Sequence, residues 1–204
     1  MSHITSKFLN AGGLHGEFSV ADMVVFPNEG KLKHVSRFWE AVVAQSLILD
    51  RAHAASLQGL ERAVEITEDP QLGFEASWRA GILKLSDQYL VRANIFFLLL
   101  SFFEFAMLEV YKLRFGGYPS ATRPQMSRDV IEPLKADGII QDVPPVFEQI
   151  MSERRDVVRN ALAHGRWSEL KAATEGLELH EAFDGVSSYL WYVDEKLREK
   201  GFKP

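Results

Sequence analysis

The residues best suited to chemistry lie together in one stretch of the chain, residues 154–167. Within it, Arg159 is followed directly by Asn160, and His164 stands five residues after the arginine. Apolar residues recur through this region at helical spacing, and Gly165 follows as a helix stop. The stretch therefore predicts the last turns of a helix. On that helix Asn160 and His164 are stacked at i and i+4, and with Arg159 and Asp156 they spread over the side opposite the apolar residues.

A guanidinium, an amide and an imidazole on one helix can hold and cleave a phosphodiester. Imidazole changes charge near neutral pH, so it can take a proton from a ribose 2′-hydroxyl or give one to the leaving oxygen. Arginine makes bidentate contacts with phosphate and stabilises charge in the transition state. The nucleophile would be the 2′-hydroxyl, so RNA is the expected substrate and DNA is not. The alternative is structural: His164 interacts with the helix dipole at the carboxyl end of the helix, and Arg159 is an ordinary surface charge.

The run Arg159-Asn160-Ala161-Leu162-Ala163-His164-Gly165, with a long apolar helix upstream that carries Glu104, resembles the HEPN family of helical-bundle domains. Many members of that family are RNA endonucleases. The resemblance covers about residues 85–200 and implies a metal-independent ribonuclease without a cofactor. It also implies a homodimer in which two copies of the run face each other across a cleft. Carried over by position, the arginine would bind the scissile phosphate, the histidine would move protons, and the asparagine would orient them.

Glu104 and the basic residues around the run complete the candidate site. A buried carboxylate needs a partner, and a structural ion pair with Arg154 is the first interpretation of Glu104. The second is functional: Glu104 lines the cleft and orients Arg159 or His164, as an upstream acidic residue does in some HEPN relatives. The expected contacts to RNA beside the catalytic residues come from three cations, Arg155, Arg166 and Lys171.

The composition excludes several other classes of function. The net charge of −5 means that no global basic field draws the protein to nucleic acid. RNA contact must therefore be local, and residues 154–171 carry five Lys or Arg against two acidic residues. The absence of cysteine excludes disulfides, thiolate catalysis and zinc–thiolate sites. No Glu-x-x-His pair of the di-iron bundle type occurs, so no metal site is expected.

Helix follows helix along the chain, which predicts an all-α, HEPN-like bundle of about five helices. Residues 1–30 are rich in glycine and irregular, and they are expected to form a packing or dimer-exchange arm ahead of one domain, residues 31–204. The expected elements are helices over 31–66, 74–114 with a break near 86–87, and 128–136, the last of these ended by Gly138. They are followed by the helix that Pro144-Pro145 opens and that ends at His164, a turn over 165–176, and a last helix over 177–200.

The longest apolar run, Ile95–Phe103, has nine residues, far short of the roughly 20 needed to span a bilayer. Residues 1–13 have no apolar core of the kind found in secretory signals. We therefore expect a soluble, cytoplasmic protein that does not associate with membranes.

Two hypotheses about function follow. The first is a homodimeric endoribonuclease that acts in stress response or phage defence. The second is a catalytically inactive HEPN module that binds RNA, a nucleotide or a partner protein through the same basic edge. In the toxin–antitoxin branch of the family a tyrosine often stands two residues after the motif histidine, whereas this chain has Arg166. That difference argues against pairing with a nucleotidyltransferase antitoxin, and leaves an antitoxin or regulatory protein of another kind open as a partner.

Overall fold

The computed structural model describes residues 25–26, 30–86, 90–121, 125–141, 155–174 and 179–203. Within these ranges all regular elements are helical, which confirms the all-α bundle. A π-helical turn, Met126–Ile131, leads into the fourth α-helix. The α-helices are α1 (Lys33–Ile66), α2 (Pro70–Ser86), α3 (Arg92–Phe115), α4 (Glu132–Ala136), α5 (Arg155–His164), α6 (Trp167–Thr174) and α7 (Leu179–Glu199).

Helix α3 is the centre of the bundle, as its apolar sequence predicts. It packs against α1, α5, α6, α7 and the π-helical turn. On one side of the helix Asn94, Phe97 and Lys112 are exposed. The buried residues cover the rest, an arc of about 200°, where the neighbouring helices pack. The buried residues are Ala93, Ile95, Phe96, Leu99, Leu100, Phe102, Phe103, Ala106, Met107, Glu109 and Val110.

Trp39 fastens α1 to this centre. Its side chain is fully buried, and its ring lies 4.8 Å from that of Phe102 on α3 and 5.4 Å from that of Phe183 on α7. At these separations aromatic rings contact one another directly, and each ring removes a large apolar area from water. One side chain thus joins three helices that are far apart in sequence.

The second half of α1 leaves the core and forms a helical hairpin with α2. All buried residues of α1 lie between Val35 and Ser46. Thr67–Asp69 link the two helices, which pack against each other. Among the described residues, the bundle core takes none from 50–90. The break expected near 86–87 falls next to residues 87–89, which lie outside the described residues; α2 ends at Ser86, and a π-helical segment at 90–91 leads into α3, which begins at Arg92.

Residues around α4 tie the end of α3 to the end of the chain. Arg114 makes two hydrogen bonds to Asp137, of 2.6 and 2.7 Å, and its guanidinium also lies over the ring of Phe202. The hydrogen bonds from Arg114 hold the pKa of Asp137 below its ordinary value. The expected stop of this helix at Gly138 is confirmed, because that residue adopts a φ of 69°.

The sequence prediction is wrong just after α5. A turn was expected over residues 165–176, but Trp167–Thr174 form the short helix α6. Its residues include good helix formers, and Leu170 is fully buried in the core, so burial of one apolar side chain fixes the helix in place. With α6, and with α2 and α3 counted separately, the described ranges contain seven α-helices, against the five expected.

By length and composition α3 could cross a membrane, although its longest uninterrupted apolar run is short. However, 61% of its most apolar stretch is buried inside the bundle. A core helix of a soluble protein has this property, because its apolar surface is already covered by other helices. The structure is therefore consistent with a soluble protein.

Candidate functional site

Helix α5 presents one apolar and one polar side, and the polar side faces solvent. Val158 and Ala161 are fully buried, and α5 packs against α3. Asn160 and His164 are both exposed. The predicted placement of this amide and this imidazole, together on the outer side of the helix, is confirmed. A ligand can reach both groups without any change in the fold.

The end of α5 holds His164 at the helix terminus. Gly165 adopts a φ of 63°, in the left-handed region that glycine tolerates best, and the N–H of Arg166 donates to the carbonyl oxygen of Ala161 at 2.9 Å. This six-to-one hydrogen bond is the one that closes a Schellman motif. The carboxyl end of a helix carries partial negative charge, so a cation bound there is favoured.

Three predicted site residues belong to described helices, but their side chains lie outside the described part of the structure. Arg155 is the first residue of α5, Arg159 immediately precedes Asn160, and Lys171 lies in α6. Along a helix, Arg159 is offset from Asn160 by about 100° of rotation. Its backbone position therefore lies between the buried side of α5 and the exposed side. The roles predicted for these three cations stay predictions.

Glu104 is half-buried on α3, and its Oε1 atom is shielded from solvent. Helix α3, which carries Glu104, packs against α5. Arg154, its predicted structural partner, lies outside the described residues. Both interpretations of Glu104, as the partner of Arg154 and as a positioning residue for the site, stay predictions.

Arg166 is exposed just beyond the end of α5, in a position to reach a ligand bound at His164. Its Nη1 atom lies 3.4 Å from Oε2 of Glu169, and both side chains are about half exposed. Exposed ion pairs of this kind stabilise a protein by about 0–1 kcal/mol, so a phosphate group can compete for the guanidinium at little cost. The position of Arg166 fits its predicted role in substrate binding.

A second polar cluster, which sequence reasoning missed, surrounds the buried carboxylate of Glu109 on α3. Nε2 of His34 lies 3.0 Å from Oε2 of Glu109, and Tyr118 donates its hydroxyl hydrogen to Oε1. Lys112 lies 3.6 Å from the same carboxylate. His34 is half exposed, and its other ring nitrogen, Nδ1, lies 3.0 Å from the carbonyl oxygen of Lys31 at the start of α1. The signal was Glu109 itself, an acidic residue on an apolar helix that must find partners when buried.

The electrostatics of this cluster indicate a structural tie. Burial raises the pKa of Glu109, but the hydrogen bonds from Tyr118 and His34 and the charge of Lys112 outweigh burial, so the pKa lies below its ordinary value. The carboxylate is thus held ionised by donors from α1, α3 and the loop after α3. All three donors point at Glu109, so the cluster fastens α1 to α3.

No group of three or more His, Asp or Glu side chains within the described ranges could hold a metal ion. Comparisons with protein-family models, with curated proteins and with solved structures gave no match to this chain. The candidate function therefore depends on the residues of α5 and on their surroundings.

Proposed function

We propose that this protein is a metal-independent endoribonuclease of HEPN type whose active site forms between two copies of the chain. The observation that supports the proposal most directly is the exposure of Asn160 and His164 together at the carboxyl end of α5. A histidine that only capped the helix would need neither an amide one turn before it nor an arginine directly before that amide. The same helix supplies a guanidinium, an amide and one imidazole, which are the kinds of group that cleavage of RNA requires.

The proposed reaction is attack of the 2′-hydroxyl on the adjacent phosphorus. An imidazole removes the 2′-hydroxyl proton, a bond forms between O2′ and phosphorus, and the bond from phosphorus to the leaving 5′-oxygen breaks. A second imidazole gives a proton to that oxygen. Arg159 would bind the non-bridging oxygens and stabilise their charge, and Asn160 would orient the phosphate or the imidazole. The products are a 2′,3′-cyclic phosphate and a free 5′-hydroxyl.

The need for both a base and an acid is the reason to propose two copies. One α5 provides one histidine of the motif, whereas a two-fold arrangement provides two, on opposite sides of the phosphate. Val157, which is 39% exposed, lies three residues before Asn160 and seven before His164, so these residues share one exposed stripe. An exposed apolar side chain beside the polar pair gives two facing helices a contact that excludes water.

The decisive experiment incubates the purified protein with a short RNA in EDTA and identifies the ends of the products. The expected result is cleavage that leaves a 2′,3′-cyclic phosphate and that stops when a 2′-deoxy sugar is placed on the 5′ side of the cut. A His164→Ala preparation, purified in parallel, detects contaminating ribonuclease. Arg37→Ala, an exposed arginine on α1, is the matched control for loss of a surface charge and should cleave normally.

Other outcomes of this experiment distinguish the alternatives. Cleavage that stops with chelator, or equal cleavage of a DNA copy, would contradict the mechanism. Binding without cleavage would support the catalytically inactive module, whose affinity should depend on salt only through the few charges of residues 154–171. A cytoplasmic location, a role in stress response or phage defence, and control by an antitoxin or regulatory protein belong to the same proposal and rest on the HEPN resemblance.

A further inference from the structure

Helix α2 carries an apolar stripe on the side that faces away from α1. The stripe consists of Phe74, Trp78 and Ile82, whose side chains are 73%, 62% and 44% exposed. Their spacing of four residues places them on one side of the helix. The buried residues Ala76 and Ala80 lie on the opposite side, where α2 packs against α1. Two exposed aromatic rings in line with an isoleucine form the kind of patch that marks an interaction site.

The charge around the stripe favours a protein as the occupant. Residues 51–86 contain four Lys or Arg and five Asp or Glu. Nucleic acids and anionic membranes are bound by surfaces with a clear excess of basic residues, and this hairpin has none. Two pairs of opposite charge also lie on the hairpin, Glu61 with Lys84 at 2.8 Å and Glu75 with Arg79 at 3.8 Å. A surface with both charges interspersed beside an apolar stripe fits another protein surface of the same kind.

The positions of these charges select one geometry for that partner. Glu75 and Arg79 lie along one edge of the stripe, four residues apart, so their midpoint is residue 77. The middle of the stripe is Trp78. A two-fold axis near residues 77–78 would place Glu75 of each copy opposite Arg79 of the other, and Phe74 of each opposite Ile82 of the other. In a parallel two-fold arrangement this edge would instead face the other edge of the stripe, which carries Ser77 and Gly81, so Glu75 and Arg79 would gain no partner of opposite charge.

The two aromatic rings of the stripe supply about a third of the area that a stable interface buries on each partner, so the rest of the hairpin must supply the remainder. The two aromatic rings expose about 270 Å², if a fully exposed ring counts as about 200 Å². A stable interface buries about 800 Å² from each partner. Beside the edge formed by Glu75 and Arg79, a groove of about 490 Å³ opens between α1 and α2, with apolar walls that include Leu60, Ile66 and Leu72. A two-fold contact requires a surface that is complementary to itself, and here the protruding stripe of one copy can pack into the groove of the other.

We propose that α2 is a dimerisation surface that binds the α2 of a second copy of this chain in antiparallel orientation. This contact does not depend on the ribonuclease proposal, because none of its residues belongs to α5 or α6. Trp78 lies nearest the two-fold axis, and buried tryptophans near the centre of an interface are frequent hot spots. Glu75 and Arg79 set the orientation.

The first test measures the dimer dissociation constant by sedimentation at several protein concentrations. Trp78→Glu should raise that constant at least about 30-fold, the effect of losing one hot-spot residue. Trp191→Glu is the matched control, since Trp191 is 40% exposed on α7 and outside the stripe, and it should leave the constant unchanged. Circular dichroism confirms that both variants are folded. A wild type that stays monomeric up to about 100 μM, or equal weakening by both substitutions, would overturn the proposal.

The second test uses the charges to check the orientation. Glu75→Arg leaves two positive charges on that edge, and Arg79→Glu leaves two negative ones, so each variant alone should dimerise at least about tenfold more weakly than the wild type. An equal mixture of the two should form a heterodimer at least as stable as the wild-type dimer. If the mixture associates no better than either variant alone, the antiparallel contact is refuted, whatever the outcome of any RNA assay.

Discussion

The strongest prediction concerns His164→Ala, which should abolish activity while leaving the fold intact. His164 is exposed, and the hydrogen bond that closes the end of α5 runs from the backbone of Arg166 to that of Ala161, so no side chain takes part in it. Substitutions at such positions usually change stability by about 0.5 kcal/mol or less. For a chain of this size that corresponds to about 1–2 °C in melting temperature.

The same substitution should lower the rate of RNA cleavage by about 10²- to 10⁴-fold, the usual contribution of a general acid or base. The assay follows single-turnover cleavage of a short RNA in EDTA, with thermal unfolding measured on the same preparations. The wild-type rate should also depend on pH near neutrality, where imidazole changes charge, and the residual rate of the variant should lose that dependence.

A core substitution should have the opposite effect, a loss of stability without a loss of activity. Val193 is fully buried on α7, and Val193→Ala removes apolar volume from the core without touching α5. It should cost about 2 kcal/mol from lost burial and the remaining cavity, and lower the melting temperature by about 4–8 °C. At 25 °C its cleavage rate should stay close to that of the wild type. If His164→Ala instead lowers the melting temperature as far as Val193→Ala does, the histidine is structural and the catalytic reasoning is refuted.

Three further predictions follow from the same structure. Glu109→Gln should destabilise the protein by about 1–3 kcal/mol in chemical denaturation, because charge-assisted hydrogen bonds from Tyr118 and His34 are weakened. Burial raises the pKa of Glu109, but the hydrogen bonds lower it by more, so the net pKa lies below the ordinary 4.5. The ionised carboxylate therefore stabilises the fold above pH 4.5, and this stabilisation is lost as the pH falls through the lowered pKa. If Glu109→Gln lost as much stability as the wild type over that pH range, the reasoning would be contradicted. Trp39→Ala should cost about 3–5 kcal/mol, and a calorimetric change below 1 kcal/mol would refute its role in joining three helices. Arg159→Lys keeps the charge but loses the planar fork, so in the cleavage assay it should be nearly as damaging as loss of the catalytic histidine.

The sequence was sufficient to predict most of the fold because the helices carry strong local signals. The long amphipathic pattern before Thr67 predicts a helix packed on one side, and the nearly uniform apolar sequence of α3 predicts a central helix with several neighbours. Helix α6 was not predictable, because its eight residues show no clear periodicity and its position depends on burial of Leu170 by other helices.

The candidate site was predictable only in part, for a physical reason. Which side of α5 faces solvent follows from the spacing of Val158 and Ala161, so the exposure of Asn160 and His164 could be predicted. Contacts between distant elements could not. The approach of His34 to Glu109 joins residues 75 positions apart, and no local pattern encodes that distance. The same holds for the aromatic stripe of α2, since the sequence shows apolar residues but not which of them other helices leave uncovered.

The two proposed contacts between copies, one through α5 and one through α2, together restrict the assembly. If a single two-fold axis serves both contacts, the protein is a closed dimer. The Trp78→Glu variant should then cleave RNA more slowly than the wild type at low protein concentration and reach the wild-type rate at high concentration. If the axes differ, each chain has two distinct two-fold surfaces, and the wild type forms a closed tetramer or an open chain. Trp78→Glu should then reduce the assembly to dimers joined through α5 and leave cleavage unchanged. Mass and activity measured on the same dilution series distinguish the two arrangements, because only the shared axis makes the catalytic contact depend on α2.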